Sequence, residues 1–274
     1  RGAQTFPEYG CDWIFDELKD GTFERRGAVD EGYQITPEDK AYILSVEDYW
    51  RADNQSLRLE KLSPDGLKAI VGTGIVDYQG TGMATGPTGH FTGNFWKVVD
   101  RGFKDIQREA QEKLDALEGH CFGNDAKKYT FYKAITIVCE AAMLLPKRYA
   151  AACREQAAGD VSEERRAELL SMADSLDWIL ENPCRTFYEA VQSVFLYQLL
   201  LIMDGNMHGL TYGRVDQYVG KYYDADAASG RITRAQAQEI MDCFFLKVSD
   251  CSKAWAEKRA QRSGGYTSGQ HMTL

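Results

Sequence analysis

The chain has 274 residues, of which 44% are hydrophobic and 27% are charged, and its formal net charge is −9. This composition is typical of an ordinary globular protein, and the negative charge argues against a surface that binds nucleic acid or an anionic membrane. The apolar runs are shorter than the roughly 20 residues that a membrane-spanning helix needs. We therefore expect neither nucleic acid nor a membrane among its partners.

The seven cysteines are scattered along the chain and form no C-x-x-C pair. Their number is odd, and the opening residues show no charged-then-apolar export signal, so we predict reduced thiols and a cytoplasmic protein. No two cysteines or histidines have the spacing of zinc ligands, so we expect no bound metal.

Helix signals dominate the first hundred residues. Thr36 followed by Pro37 predicts an N-terminal cap for the next helix. The glycine-rich stretch from 72 to 93 fits neither a helix nor a long strand. After it, residues 94–117 return to a helical period, with apolar residues on one broad face.

The middle of the chain predicts two long apolar helices. Residues 127–158 indicate a mostly buried helix that is kinked near Pro146. Residues 187–203 are apolar nearly all round, which predicts one of the most buried helices of the protein. Thr186 and Glu189 form a T-x-x-E capping box in front of it.

A second box, T-x-x-Q, is formed by Thr233 and Gln236 and starts the last predicted helix. No internal repeat, charge block or linker interrupts the series, so we interpret residues 1–274 as one helix-rich domain. The chain opens with Arg1 instead of Met and ends in a Gly/Ser turn and a strand-like run. We take it to be a segment of a longer chain.

Six segments, in order along the chain, resemble the glycyl radical enzyme family, the pyruvate formate-lyase-like proteins. The resemblance spans nearly the whole chain and is carried by "FPEYGCDWIFDEL", "GHFTGNFWKVVDRGF", "FYKAITIVCEAAMLLPKRYA", "NPCRTFYEAVQSVFLYQLLL", "GNMHGLTYGRVDQY" and "GRITRAQAQEIMDCFFLK". Each segment alone would be weak evidence, whereas six in the family's order are strong evidence.

The resemblance implies an α/β barrel of ten strands ringed by helices. Residues 1–274 would be its truncated N-terminal, helix-rich portion, a mainly α segment of an α/β protein that ends in the first barrel strand.

The family also implies a radical mechanism. A glycyl radical near the far C-terminus oxidises a loop cysteine, and the resulting thiyl takes a hydrogen atom from the substrate in a water-poor barrel. None of the seven cysteines lies in the family's G-C-x-E context, so no catalytic residue is assigned in this segment. The partners that the resemblance implies are a radical S-adenosylmethionine activating enzyme, a small-molecule substrate and a second copy of the chain in a homodimer.

Three residues are predicted to face the substrate. In the family's diol and hydroxyproline dehydratases a histidine at the position of His90 faces the substrate hydroxyl, and an imidazole there can hydrogen-bond that oxygen or help it leave. The alternative is a histidine that only holds a long loop. His208 and Gly209 correspond to a His-Ser pair in the diol dehydratases. Glycine in place of serine removes a donor and makes room, which argues against a close copy of those enzymes.

Arg214 and Asp216, in "GRVDQY", are predicted to be structural, because the motif occurs in family members with different substrates. The planar guanidinium of Arg214 suits a clamp on a buried carboxylate or carbonyl. Three neighbouring tyrosines, Tyr218, Tyr222 and Tyr223, are predicted to pack with a polar tip and not to carry a radical.

The function that these residues predict is a glycyl radical lyase that cleaves a C–O or C–C bond of a small organic molecule, as a dehydratase or a decarboxylase. By itself this segment should be inactive. The alternative is a non-catalytic helical scaffold or interaction subunit related to the family.

Overall fold

The structure is a computed structural model that describes residues 2–4, 12–25, 33–73, 91–119, 121–205, 209–254, 256–257 and 272–273. Its helices are α1 (Asp12–Asp20), α2 (Thr22–Arg25), α3 (Pro37–Ser45), α4 (Glu47–Ala52), α5 (Gln55–Leu62), α6 (Asp65–Gly72), α7 (Phe95–Asp115), α8 (Asn124–Ala157), α9 (Glu163–Trp178), α10 (Phe187–Gly205), α11 (Val215–Ala228) and α12 (Arg234–Asp250). The strands are β1 (Gly2–Gln4), β2 (Gly213–Arg214), β3 (Cys251–Lys253) and β4 (Met272–Thr273). The predicted helix-rich fold is confirmed.

The chain divides into two compact units, and the first contains residues 1–91, 202–210 and 247–270. Its core is a small apolar cluster on α1 and α2, formed by Ile14, Phe15, Leu18 and Phe23. Thr36 accepts a hydrogen bond from the backbone of Asp39, so the predicted cap of α3 is confirmed. Strand β1 pairs in parallel with β3.

The second unit contains residues 92–201, 211–246 and 271–274 and holds the larger core. Helix α8 contributes buried residues that are spaced three or four positions apart along one face, namely Thr136, Cys139, Ala142, Pro146, Ala150, Cys153 and Ala157. The prediction that α8 is mostly buried is wrong, because Phe131 and Val138 are each 61% exposed. The helix also continues through Pro146, which is buried with these residues. The backbone donor that proline lacks therefore does not end the helix there.

Helix α10 is the buried helix that the sequence predicted. Val194 and Ile202 are each 1% exposed, and Phe195 and Leu199 are partly buried against the core. Its first backbone donors, which have no partner within the helix, are satisfied by side chains. The N–H of Phe187 donates to the buried carboxylate of Asp226 at 2.8 Å, and that of Glu189 donates to Thr186 Oγ1 at 3.2 Å.

The two predicted capping boxes differ in their second bond. In the box before α12, the Thr233 N–H donates to Gln236 Oε1 at 2.9 Å and the Gln236 N–H donates to Thr233 Oγ1 at 3.2 Å, as predicted. In the box before α10, the carboxylate of Glu189 instead accepts from the backbone N–H of Arg185 at 2.8 Å and from its guanidinium. The box before α10 therefore also contains an ion pair.

Helix α7 contains a kink that the sequence did not predict. Gly102 has φ 73° and ψ 163°, so the helical hydrogen bonds break at this residue. A Cβ atom on Gly102 would lie 2.6 Å from the carbonyl carbon of Glu181 and 2.7 Å from the Cα atom of Asn182. Glycine is therefore required here both for the left-handed backbone and for the close approach of the turn before α10.

The turn before α10 supplies the hydrogen bonds that the kink removes. The N–H groups of Phe103 and Lys104 donate to the carbonyls of Leu180 and Glu181 at 2.6 and 3.1 Å. The carbonyl of Val99 accepts from the Cys184 N–H at 2.9 Å. The residues around Gly102 and the turn before α10, which belong to different parts of the sequence, thus contact each other directly. We call this contact the joint at Gly102.

Candidate functional site

Two of the family-like segments lie side by side in the second unit. Thr92 forms an isolated parallel bridge with Thr211, and β2 pairs in parallel with β4. His90 precedes Thr92 by two positions and His208 precedes Thr211 by three, and both histidines lie outside the described residues. Their roles therefore stay predictions.

Gly209 is the predicted substrate-facing residue that the structure describes. Its backbone has φ 66°, a left-handed conformation that side chains rarely adopt. It is partly buried, and the next residue, Leu210, is fully buried. Because Gly209 turns the backbone, strand alternation cannot be extended from Thr211 back to His208.

Arg214 and Asp216 are brought together at the start of α11. Arg214 Nη2 and Asp216 Oδ2 are 3.5 Å apart, and the two side chains are half exposed. In the amide orientation that satisfies its neighbours, Gln217 Oε1 accepts from Arg214 Nε at 3.0 Å and Nη2 at 3.1 Å. The guanidinium thus clamps its own turn, with Gln217 as a partner that the sequence did not single out. A structural role for the pair stays a prediction.

The three tyrosines of α11 pack as predicted. The Tyr218 hydroxyl donates to the carbonyl of Tyr212 at 2.9 Å, and the Tyr222 hydroxyl lies 3.1 Å from both the Val99 carbonyl and the Asp100 carboxylate. Tyr223 packs edge-on against Phe187. Burial, with a nearby aspartate in each case, raises the pKa of Tyr218 and of Tyr222 far above the usual 10.0. Both phenols therefore stay protonated.

Two buried cysteines, Cys139 and Cys184, are unsuited to act as nucleophiles. Cys184 Sγ lies 3.1 Å from Ser193 Oγ, and burial raises the pKa of this thiol to about 12. Burial also raises the pKa of Cys139. The reactive form of cysteine is the thiolate, which burial disfavours at both positions.

Among the described residues, no group of three histidine, cysteine or acidic side chains is placed to hold a metal ion. Over the same part of the chain, each helix is too short or too polar to cross a membrane. An open groove of about 910 Å³ follows α7 beside the turn at residues 181–183. Its charges are paired with each other, as in Arg101 with Asp105 and Lys104 with Glu181, which is typical of a solvated helix face.

Comparison with known proteins gives a consistent result. The family model described as pyruvate formate lyase-like matches residues 1–274. A protein of Escherichia coli described as probable dehydratase YbiW is 32% identical over 275 residues, which cover 100% of this chain and 33% of that protein. The isethionate sulfite-lyase of Oleidesulfovibrio alaskensis is 36% identical over 259 residues, which cover 91% of this chain and 30% of the lyase.

The fold comparison agrees with the sequence comparison. A solved structure described by its subject, 1,2-propanediol dehydration in Roseburia inulinivorans, superposes with a TM-score of 0.85 at 28% identity, covering 99% of this chain and 33% of that chain. Other relatives include a sulfopropanediol dehydratase and an indoleacetate decarboxylase. The chain spans about a third of the length of the relatives it matches.

Proposed function

This chain belongs to the pyruvate formate lyase-like family, and on that premise we propose that it is the amino-terminal, helix-rich part of a glycyl radical lyase. The reaction cleaves a C–O or C–C bond of a small organic substrate, in the manner of a dehydratase or a decarboxylase. The observation that carries the proposal is the family match over residues 1–274. Relatives that are dehydratases, sulfite-lyases and a decarboxylase support it.

In such an enzyme a glycyl radical and a cysteine thiyl, both outside residues 1–274, supply hydrogen-atom abstraction. The role proposed for this chain is to bind the substrate and to orient it so that one C–H bond faces the thiyl. Orientation of this kind supplies a large part of the rate of many enzymes. This role requires fixed hydrogen-bond donors and no titrating nucleophile, which suits a segment in which burial raises the pKa of the thiols of Cys139 and Cys184.

His90 and His208 are the proposed donors of this site. The parallel bridge between Thr92 and Thr211 supports a shared cavity, because each histidine lies within three residues of a bridged threonine. We expect the two imidazoles to contact the same small substrate.

Gly209 is proposed to set the size of the pocket. It brings no hydroxyl to the position that is serine in the diol dehydratases that the chain resembles. Its left-handed φ of 66° also disfavours any side chain there. A pocket with this extra room suits a bulkier or aromatic substrate better than a small diol.

The proposed partners follow from the same family membership. They are a radical S-adenosylmethionine activating enzyme, which installs the glycyl radical, and a second copy of the chain in a homodimer. A cytoplasmic location is proposed with them, since reduced thiols and a radical of this kind need a reducing, oxygen-poor compartment.

The test uses the full-length protein, activated without oxygen by its activating enzyme. Isethionate, 1,2-propanediol, glycerol and indoleacetate are offered as substrates, and radical content is read by electron paramagnetic resonance. We expect a glycyl radical and turnover of at least one substrate class. His90→Ala and His208→Ala should lower turnover by about 10²-fold or more while radical content stays unchanged. His120→Ala is the matched control, because His120 lies in none of the six family-like segments.

A full-length sequence that lacks a G-C-x-E-like cysteine loop or an R-V-x-G-Y-like glycine loop would contradict the lyase. So would the absence of any radical after activation. Either result would favour the non-catalytic scaffold.

A further inference from the structure

Helix α8 has a second apolar face, on the side away from the core. Its buried residues pack against α7 and α9. On the other side, four large apolar side chains are 49–61% exposed, namely Phe131, Ile137, Val138 and Leu144. A group of exposed apolar side chains on one face is typical of a surface that binds another protein. Within the part of the chain that the structure describes, nothing covers this face.

A line of residues seven positions apart runs along the middle of the face. Its members are all exposed and are Lys127, Ala134, Ala141, Arg148 and Glu155. Residues at this spacing drift by only about 20° around a helix in each interval, so a second helix that crosses α8 at about 20° can follow the whole line. The large apolar side chains lie to either side of the line, and its two alanines leave room for a helix to approach closely.

The residues of this line complement each other about Ala141. Lys127 and Glu155 lie two intervals before and after Ala141, and Ala134 and Arg148 lie one interval before and after it. In an antiparallel pair of α8 helices with Ala141 at the twofold axis, Lys127 of each copy would lie beside Glu155 of the other. The long Arg148 side chain would then lie over the small Ala134. No ion pair among the described residues includes Lys127, Arg148 or Glu155, so all three charges are available to a partner.

We propose that the second apolar face of α8 is the surface through which two copies of this chain associate, with their α8 helices antiparallel. This inference rests on the proposed function, because it gives the homodimer named there its interface. The face offers roughly 700–900 Å² per copy, which is the size of one side of a standard protein interface. In a twofold pair the same patch contacts itself, so its charges must be self-complementary, as they are about Ala141. A covering segment from the same chain would not require that symmetry.

The test measures the association of the full-length protein by sedimentation velocity. Ala141→Glu places a carboxylate of each copy at the twofold axis, where two like charges would meet. We expect the dissociation constant of the dimer to rise by about 100-fold or more. Ala167→Glu is the matched control, because Ala167 is also an exposed helical alanine but lies on α9. This variant should associate like the wild type.

An exchange of charges tests the register of the two helices at exposed positions, where the fold tolerates substitution. Lys127→Glu would place a glutamate beside Glu155 of the other copy, twice in each dimer, so we expect the dissociation constant to rise by about tenfold. Adding Glu155→Lys to the same chain should restore the wild-type value, because the two charges then attract again.

A wild-type protein whose dissociation constant exceeds roughly 100 µM would overturn the proposal. So would an Ala141→Glu variant that stays dimeric, and a loss of stability in that dimer would mean that another segment of the full-length chain covers the face. If Ala141→Glu does not fold, the charge exchange decides, and a double variant without rescue refutes the pairing. Failure of the proposed function would look different, because the protein would form no radical on activation while the dimer and its charge rescue remained.

Discussion

Helices α8 and α10 were both predicted to be buried, and only α10 is. Helix α10 is covered on nearly every side, whereas α8 buries one stripe of residues spaced three or four apart and exposes apolar residues elsewhere, including Phe131, Ile137, Val138 and Leu144. The spacing of apolar residues shows which face of a helix packs against the core. It does not show whether a second apolar face has a partner, so apolar content alone overestimates burial.

The largest expected effect comes from replacing one valine by aspartate in each of the two helices. Val194→Asp in α10 buries an unpaired carboxylate at a position that is 1% exposed, so we expect a loss of about 4 kcal/mol or more in the free energy of unfolding, or no folding. Val138→Asp in α8, at 61% exposure, should change it by less than about 1 kcal/mol. Urea unfolding of the two variants, in dilute solution where two copies separate, measures the difference. Equal losses would mean that the second face of α8 is covered within one copy of the chain.

The next test concerns Gly102, where the turn before α10 lies against the kink of α7. Gly102→Ala adds a Cβ atom that overlaps the backbone of Glu181 and forces a left-handed residue, so we expect a loss of about 3 kcal/mol or more. Gly220→Ala in α11 is the control, because nothing lies within 4 Å of its added Cβ atom. There we expect a gain of about 0.5–1 kcal/mol. A tolerated Gly102→Ala would show that the joint moves easily.

The start of α10 provides a smaller test. Glu189 is 2% exposed and accepts from the backbone and guanidinium of Arg185. Glu189→Gln keeps the shape and removes the charge, so we expect a loss of about 1.5–3 kcal/mol in thermal or urea unfolding. Glu140→Gln on the exposed side of α8 should stay within about 0.5 kcal/mol. A loss at Glu140 as large as at Glu189 would contradict the contrast between the helices.

The smallest effect depends on pH. Hydrogen bonding to Lys147 of α8, and then to Lys104, holds the pKa of Glu181 below its usual 4.5. A lowered pKa stabilises the folded state above pH 4.5, and the benefit is lost as the pH falls through the lowered value. The stability difference between the wild type and Glu181→Gln should be under about 1 kcal/mol at neutral pH and vanish in acid. A difference that grows on acidification would contradict this sign.

What the sequence predicted well was local. The Thr233–Gln236 box and the Thr36 cap need only residues three positions apart, so their chemistry is visible in a short window. The kink at Gly102 was not predicted because its hydrogen-bonding partners lie almost eighty positions away. Nor does any local signal pair Asp226 with the first turn of α10.

In the candidate site, too, the sequence predicted local features and missed contacts between distant segments. The motif order pointed to the neighbourhood of Gly209, and to the tyrosines of α11 as packing residues. It could not reveal that Phe95 lies between Tyr212 and Tyr218, because that stack joins segments far apart in the chain. Gln217 was missed for a different reason, since an amide beside an arginine has no distinctive spacing.

The joint at Gly102 has a consequence for how the chain is made. Lys104 and Glu181 are separated by 77 positions, and a ribosome that adds roughly 5–20 residues each second needs about 4–15 s to cover that distance. During this interval residues 95–115 have no turn to contact. The hydrogen bonds that hold the kink can therefore form only after the later segment has been synthesised.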